Sequence, residues 1–459
     1  MNRFLLILLL ALTVFSCKKD PQITTSPTIP TPPDFVVPTI TPTGSEQYLD
    51  LDSDYIFDQD KLPTFELNLP NAALEQLDND PAAEEYVEGS LTFEGETISP
   101  VGIRYKGSIG SFVNCVSGPD FSNPSGHKTC TKISMKIKIN WEGRDDKFYG
   151  LKKLQFHSQN WDPTQMRDRL AYWLFREMDI PAPRAVHARL IINGKYSGLY
   201  SLVEQIDGRF TRHNFDDGKG NLYKEVWPID MNGEPYSEQF YLNHLETNKD
   251  ENPTADLIKT FGQEIHDADE TNIKDVIANR MNIDEIIKYV VIDRTIRVDD
   301  GAFHWYCQNG VCLNHNYYWY ENPTTEKFHL IPWDMDNTFE NIITNINPVT
   351  PIADEWGEIT DNCEPFSFGS LGLYQRSAAC DKLTQGWAKY ETEYTQFKAQ
   401  FFEGPFSEDR VNEQLDKWKA QIQDATLEAS EAHEDAISID TWENKIDVLK
   451  INLNYARLY

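Results

Sequence analysis

The chain has 459 residues and sets 73 acidic against 42 basic side chains, a formal charge of −31. That sign excludes a nucleic-acid partner, because phosphate binding needs a basic footprint, and it favours plain solubility. The length is enough for two lobes or domains with a shared core.

Residues 1–17, MNRFLLILLLALTVFSC, join a basic start to an apolar run and a small residue before Cys17. This is the pattern of a secretory signal and not of a membrane span. Val14-Phe15-Ser16-Cys17 resembles a bacterial lipobox, which implies cleavage before Cys17 and lipid attachment there. The protein is therefore expected to be exported and tethered to a bacterial membrane by its N-terminal lipid. No other segment reaches the roughly 18 apolar residues needed to span a bilayer. Residues 18–47 are rich in Pro, Thr and Ser and read as an extended linker. The acidic run that follows, Asp50, Asp52, Asp54, Asp58 and Asp60, lacks the glycine and terminal glutamate of an EF-hand loop and reads as a solvated entry segment.

Of seven cysteines, six lie beyond Cys17. An even number in an exported chain suggests disulfides. Pairing between sequence neighbours gives Cys115–Cys130, Cys307–Cys312 and Cys363–Cys380; the spacings do not match the usual zinc patterns.

Apolar alternation marks strands at Thr64–Leu69, Val101–Lys106, Ile133–Ile139 and Leu151–His157, with a short helix over Ala72–Leu77. The second strand runs into Gly107-Ser108-Ile109-Gly110-Ser111. A strand feeding a Gly/Ser loop, with Lys106 at the junction, can offer backbone N–H groups and a cation to phosphates. Asp162-Pro163 is expected to open a helix, with Asp as its cap and Met166, Leu170, Trp173 and Leu174 as its apolar stripe. Asn193-Gly194 between apolar runs predicts a hairpin. Asn282 with Glu285 predicts a capping box on a buried helix carrying Ile286, Ile287, Val290 and Val291. Beyond Tyr390 the chain becomes strongly helical, expected to pack a helical lobe.

The segment 293–339 concentrates the chemistry. His315–Glu321 and Lys327–Ile331 read as two strands joined by the turn Asn322-Pro323-Thr324-Thr325. In an antiparallel pair the start of one strand lies beside the end of the other. Asn316 should therefore meet Asp334 and Asp336, and Asp299-Asp300-Gly301 adds acids on an upstream loop. A few oxygen ligands suit Mg²⁺, which typically takes one or two carboxylates and leaves room for substrate phosphates. A nearby carboxylate can orient or deprotonate an attacking hydroxyl.

HNYYWYE…FHLIPWDMDNTF, preceded by an Asp-Gly loop, resembles the core signature of the CotH kinase family, secreted atypical protein kinases related to a spore coat protein. The resemblance extends over about residues 54–459 and takes in GLYSLVEQID and GNLYK. It implies phosphorylation of Ser or Thr in secreted or surface proteins, dependent on ATP and Mg²⁺ or Mn²⁺. It also implies an α+β, two-lobed kinase-like fold. Residues 48–207 would form an N-lobe with a mixed or antiparallel sheet, and residues 208–459 a largely helical C-lobe. Asp300 would be the catalytic carboxylate, chosen over Asp299 because the family shows Asp followed by Gly. Asn316 and Asp334 would hold the metal, with Asp336 as an outer partner. Lys106 and Lys153 would contact phosphates, and Lys152 or Lys153 with Asp168 could form the kinase Lys–acid pair. Glu204 would mark the inter-lobe connection, whose backbone groups line the adenine site, and Lys224 could reach the cleft. Conventional kinases separate the catalytic Asp from the metal-binding Asn by five residues; here the interval is longer, and Cys307–Cys312 could staple the intervening loop.

Two rival readings remain. Trp305, Tyr317, Tyr318, Trp319 and Tyr320 could form a surface that binds glycans or proteins on an inactive version of the fold. A metal-dependent hydrolase fits the carboxylates but lacks the His ligands expected of zinc.

Overall fold

The computed structural model describes residues 52–458 except 108, 121–122, 251, 340–341, 343–362 and 369–372. The signal, Cys17 and the 18–47 linker lie outside the described residues.

Seven strands close into a barrel: β1 (Thr64–Asn68), β2 (Val87–Phe93), β3 (Glu96–Tyr105), β4 (Met135–Lys138), β5 (Lys153–His157), β6 (Ala185–Ile192) and β7 (Lys195–Val203). All neighbours pair antiparallel except β1 and β6, whose parallel pairing closes the ring. Period-two alternation decides which side chains fill it. Phe65, Leu67, Ile103, Met135, Ile137, Leu154 and Phe156 are buried in one core. Each such side chain contributes about 1.5–3 kcal/mol by leaving water. The interleaved residues Arg104, Lys136, Lys153 and Gln155 point the other way. Asn193 (φ 48°) and Gly194 (φ 74°) make the β6–β7 turn with the left-handed backbone that two-residue hairpins require.

The helix predicted to open at Asp162 spans Arg167–Glu177 instead. Asp162 organises the turn ahead of it, accepting hydrogen bonds from Thr164 N–H and Oγ1 and from Arg167 N–H. Local side-chain bonding holds this stretch in a turn and delays the helix. Leu170, Tyr172, Leu174 and Phe175 then enter the second core.

That core gathers the rest of the chain. β8 (Leu222–Lys224) joins a three-stranded sheet with β11 (Tyr317–Asn322) and β12 (Lys327–Pro332). β9 (Trp305–Gln308), β10 (Val311–Leu313), β13 (Phe366–Phe368) and β14 (Leu373–Arg376) form another. Helices Asp256–Asp267, Ile273–Arg280, Ile283–Ile296 and Lys382–Ala388 surround them. The whole is an α+β structure with a mixed sheet. The aromatic run does not form a surface: Trp305, Tyr317, Tyr318, Trp319 and Tyr320 are all buried. Trp227 packs at 5.9, 5.4 and 5.7 Å from the rings of Trp305, Trp319 and Trp387.

Two local expectations change. Asn282 makes no side-chain cap, and Glu285 accepts instead from His329 Nδ1 at 2.8 Å, so no capping box forms. The long C-terminal helix Glu408–Ala432 serves the barrel as well as the helices. Tyr196 Oη donates to Ala425 O at 3.0 Å, and Gln421 Nε2 donates to Lys61 O at 2.9 Å. The loop between Asp300 and Asn316 carries the β9–β10 hairpin, with Cys307 directly opposite Cys312, so the expected staple forms. The disulfides are Cys115–Cys130, Cys307–Cys312 and Cys363–Cys380. No helix among the described residues is long and apolar enough to cross a membrane.

Gly220 sits where β8 approaches β11. A Cβ there would lie 1.8 Å from Glu321 O and 2.9 Å from Pro323 Cδ. Gly220→Ala is expected to cost about 3 kcal/mol, the upper end of the range for overpacking, because the obstacle is backbone in a packed sheet. Denaturant unfolding checks this; an unchanged midpoint would show that the sheet edge can move.

Candidate active site

The β11–β12 hairpin sets Tyr317 against Pro332, and Trp333 N–H donates to Asn316 O at 3.1 Å. Asn316 (φ 58°) and Asp334 (φ 55°) both adopt the left-handed backbone, which Asn and Asp tolerate better than other side chains. The Ile283–Ile296 helix ends at Arg297, also left-handed, and delivers the acidic loop to the same place. Asp299 N–H donates to Asn337 O at 3.2 Å, tying that loop to the turn beyond Asp334. Asn316 Nδ2 then donates to Asp300 O at 2.8 Å and to Asp300 Oδ2 at 3.0 Å, across a sequence interval of 16 residues. The stapled β9–β10 hairpin takes up the intervening chain. Asp334 N–H donates to Tyr172 Oη at 3.0 Å, which fixes the hairpin end to the Arg167–Glu177 helix.

Asp300, Asn316 and Asp334 thus converge, with Asp336 beside them. Burial pushes the Asp300 carboxyl up to about 7; Asp334 and Glu225 add to the rise, while Tyr306 and Asn316 hydrogen bonds oppose it. Burial also raises Asp336 well above the usual carboxylate range, and Asp334, Asp168 and Asp300 add repulsion. Crowded acids of this kind are relieved by a cation. Among the described residues no three His, Cys, Asp or Glu side chains form a ready-made metal cluster. The groups that could hold a cation are instead one carboxylate, Asp334, and the amide oxygen of Asn316, whose Nδ2 is turned to Asp300. Such a sparse set fits Mg²⁺ when phosphates supply the remaining oxygens.

The outward face of β3–β5 carries the basic groups. Lys106, immediately after β3, donates from Nζ to His157 Nε2 at 2.8 Å. His157 Nδ1 lies 3.2 Å from Asp168 Oδ2. Lys106 also stands 5.4 Å from the Trp333 ring, next to Asp334. Burial lowers the Lys106 ammonium to about 8, against the attraction of Asp334. Lys136 is lowered to about 7, by burial first and then by Lys153 and Lys106. Lys153 therefore shares this basic face, but Asp168 meets Lys106 through His157 and not Lys152 or Lys153. Lys152 pairs with Asp145 at 2.8 Å. Glu204, just past β7, spends its side chain on Arg184, with Nε to Oε2 at 2.9 Å and NH2 to Oε1 at 2.6 Å. Lys224 repels the Lys106 charge and stands 3.5 Å from Glu225.

Sequence reasoning missed His157, Lys136 and Glu225, whose Oε1 accepts from Asn316 N–H at 3.3 Å. Lys136 could have been found from its parity, since β3 and β4 place Arg104 opposite Lys136 on one face. His157 gave no signal, because its neighbour in space is 51 residues away.

A family model described as CotH kinase protein matches residues 103–457. The chain is 25% identical over 199 residues to "Inner spore coat protein H" of Bacillus subtilis (strain 168), covering 42% of this chain and 51% of that protein. It is 38% identical over 63 residues to "Inner spore coat protein H-like protein" of the same organism, covering 14% and 20%. The chain thus spans about half the length of the first relative and a fifth of the second. The match runs from within β3 to the last helix and takes in every site residue above; the chain belongs to the CotH kinase protein family.

Proposed function

We propose that this protein is an exported, lipid-anchored kinase with a two-lobed kinase-like arrangement, which transfers phosphate from ATP to Ser or Thr of secreted or surface proteins. The barrel is the N-lobe of this reading and the second core its C-lobe, with the boundary near Asp207. One observation carries the proposal: Asp300, Asn316 and Asp334 meet at one end of a hairpin, beside a basic strand face that presents Lys106. Carboxylate, amide and ammonium are the groups phosphoryl transfer asks a protein to position.

In this reading Asp300 accepts or orients the proton of the acceptor hydroxyl, held by Asn316 Nδ2. Lys106 binds a phosphate oxygen of ATP, and Lys136 and Lys153 extend the positive surface. Asp334 and the Asn316 amide oxygen are the groups that would hold Mg²⁺ or Mn²⁺, with Asp336 behind them, and the cation would supply charge neutralisation on the phosphates. The lipobox and Cys17 support the anchored location. The buried aromatics do not favour a glycan- or protein-binding surface at that run.

Calorimetry on the mature chain tests the reading. ATP is expected to bind in the presence of Mg²⁺ or Mn²⁺ and much more weakly with chelator. Absence of nucleotide binding with either metal would sink the kinase assignment.

A further inference from the structure

We propose that His157 is a positioning residue: as a neutral imidazole it links Asp168 to Lys106 and holds the Lys106 ammonium at the cleft. The inference rests on the kinase reading for its consequences, but its geometry stands apart from it. An ammonium can donate hydrogen bonds and cannot accept them. With Lys106 Nζ at 2.8 Å, His157 Nε2 must be the acceptor. The ring proton is then on Nδ1, facing Asp168 Oδ2 at 3.2 Å, and the carboxyl oxygen accepts it; burial first and then Asp162 push the Asp168 carboxyl up to about 7, against the attraction of Lys106. The two partners together fix one tautomer.

The surroundings hold the ring still. His157 is the last residue of β5 and pairs with Ser201 of β7. Its edge meets Trp333 at 5.6 Å and 90°, and Trp333 precedes Asp334. Asp168 lies in the first turn of the Arg167–Glu177 helix and is 1% exposed. Strand, helix and the Trp333-Asp334 segment therefore converge on one imidazole. Burial, reinforced by the Lys106 charge, lowers the His157 pKa to about 3, so the ring stays neutral at ordinary pH.

An imidazole here does something a direct Lys–carboxylate pair would not. A carboxylate in contact would cancel much of the ammonium charge. The neutral ring fixes its position and keeps the carboxylate one side chain away, so the charge remains available to phosphate.

Three measurements test the proposal. In the nucleotide-free protein, imidazole ¹⁵N shifts are expected to report His157 protonated on Nδ1 with Nε2 accepting. A ring protonated on Nε2 would overturn the proposal whatever the protein's activity. His157→Phe keeps the ring and loses both nitrogens; it is expected to raise the KM for ATP by about 10²-fold, as mispositioned binding groups do, with a smaller change in kcat. His157→Gln again offers an acceptor and a donor and is expected to stay within about threefold of the parent. Equal kinetics for His157→Phe and the parent would overturn the proposal, as would His157→Gln impaired as badly as His157→Phe in two proteins that melt alike. A parent chain that binds no nucleotide would instead remove the kinase reading, leaving the tautomer measurement to decide the His157 assignment.

Discussion

Asp334→Asn is expected to lower phosphate transfer by at least about 10³-fold, equivalent to about 4 kcal/mol of lost transition-state stabilisation, while the protein keeps its melting temperature. The two halves of this result have separate physical causes. Activity falls because the single carboxylate of the proposed metal donor set is gone. Stability holds for three reasons. Asn tolerates the left-handed backbone at this position (φ 55°) as well as Asp does. The Asp334 N–H that reaches Tyr172 Oη is main chain and survives the substitution. Removing a charge from beside Asp336, whose pKa the Asp334 carboxylate helps to raise, relieves repulsion. A rise of a degree or two is compatible with this account. Alanine is the poorer probe, because a left-handed Ala costs about 1–2 kcal/mol and confuses the two effects. Initial-rate assays with thermal melts on the same preparations check the prediction. Transfer within tenfold of the parent would remove Asp334 from the metal role.

The hairpin that carries this site was legible because its information is local. Alternating aromatics on both sides of Asn322-Pro323-Thr324-Thr325 determine the pairing, and the pairing alone brings Asn316 to Trp333 and Asp334. Most barrel strands were legible for the same reason. Their closure was not: the β1–β6 pair joins segments more than a hundred residues apart, and no periodicity records which strand meets which. The Lys106–His157–Asp168 chain failed to show for that reason too. Lys153 and Asp168 are close in sequence, and on a strand followed by a helix they invite pairing. Asp168 takes His157 at the end of β5 instead, and the β3–β4–β5 register brings Lys106 to that ring from another strand. Asp162 misled differently. Its side chain accepts three hydrogen bonds from Thr164 and Arg167, so a good capping residue ended in a turn that precedes the helix.

The choice between the neighbouring acids Asp299 and Asp300 divides into two expected phenotypes. Asp300 is half-buried and takes Asn316 Nδ2 at 3.0 Å on its carboxylate, beside the proposed metal donors. Asp299 is buried, its main chain is tied to Asn337, and its charge supports that of the buried Arg297. Asp300→Asn is expected to reduce kcat by about 10²–10⁴-fold, the range for removing a general base, with little change in the KM for ATP, because the carboxylate acts on the acceptor hydroxyl. It should not unfold the loop: the Asn316 contact to Asp300 O at 2.8 Å is to main chain and remains. Asp299→Asn is expected to do the reverse. It weakens support for a buried guanidinium and leaves the reacting groups in place, so the melting temperature should drop while kcat per folded molecule changes by less than about tenfold. Kinetics and unfolding measured on both proteins separate the roles. A greater loss of kcat in Asp299→Asn than in Asp300→Asn would move the base one residue back.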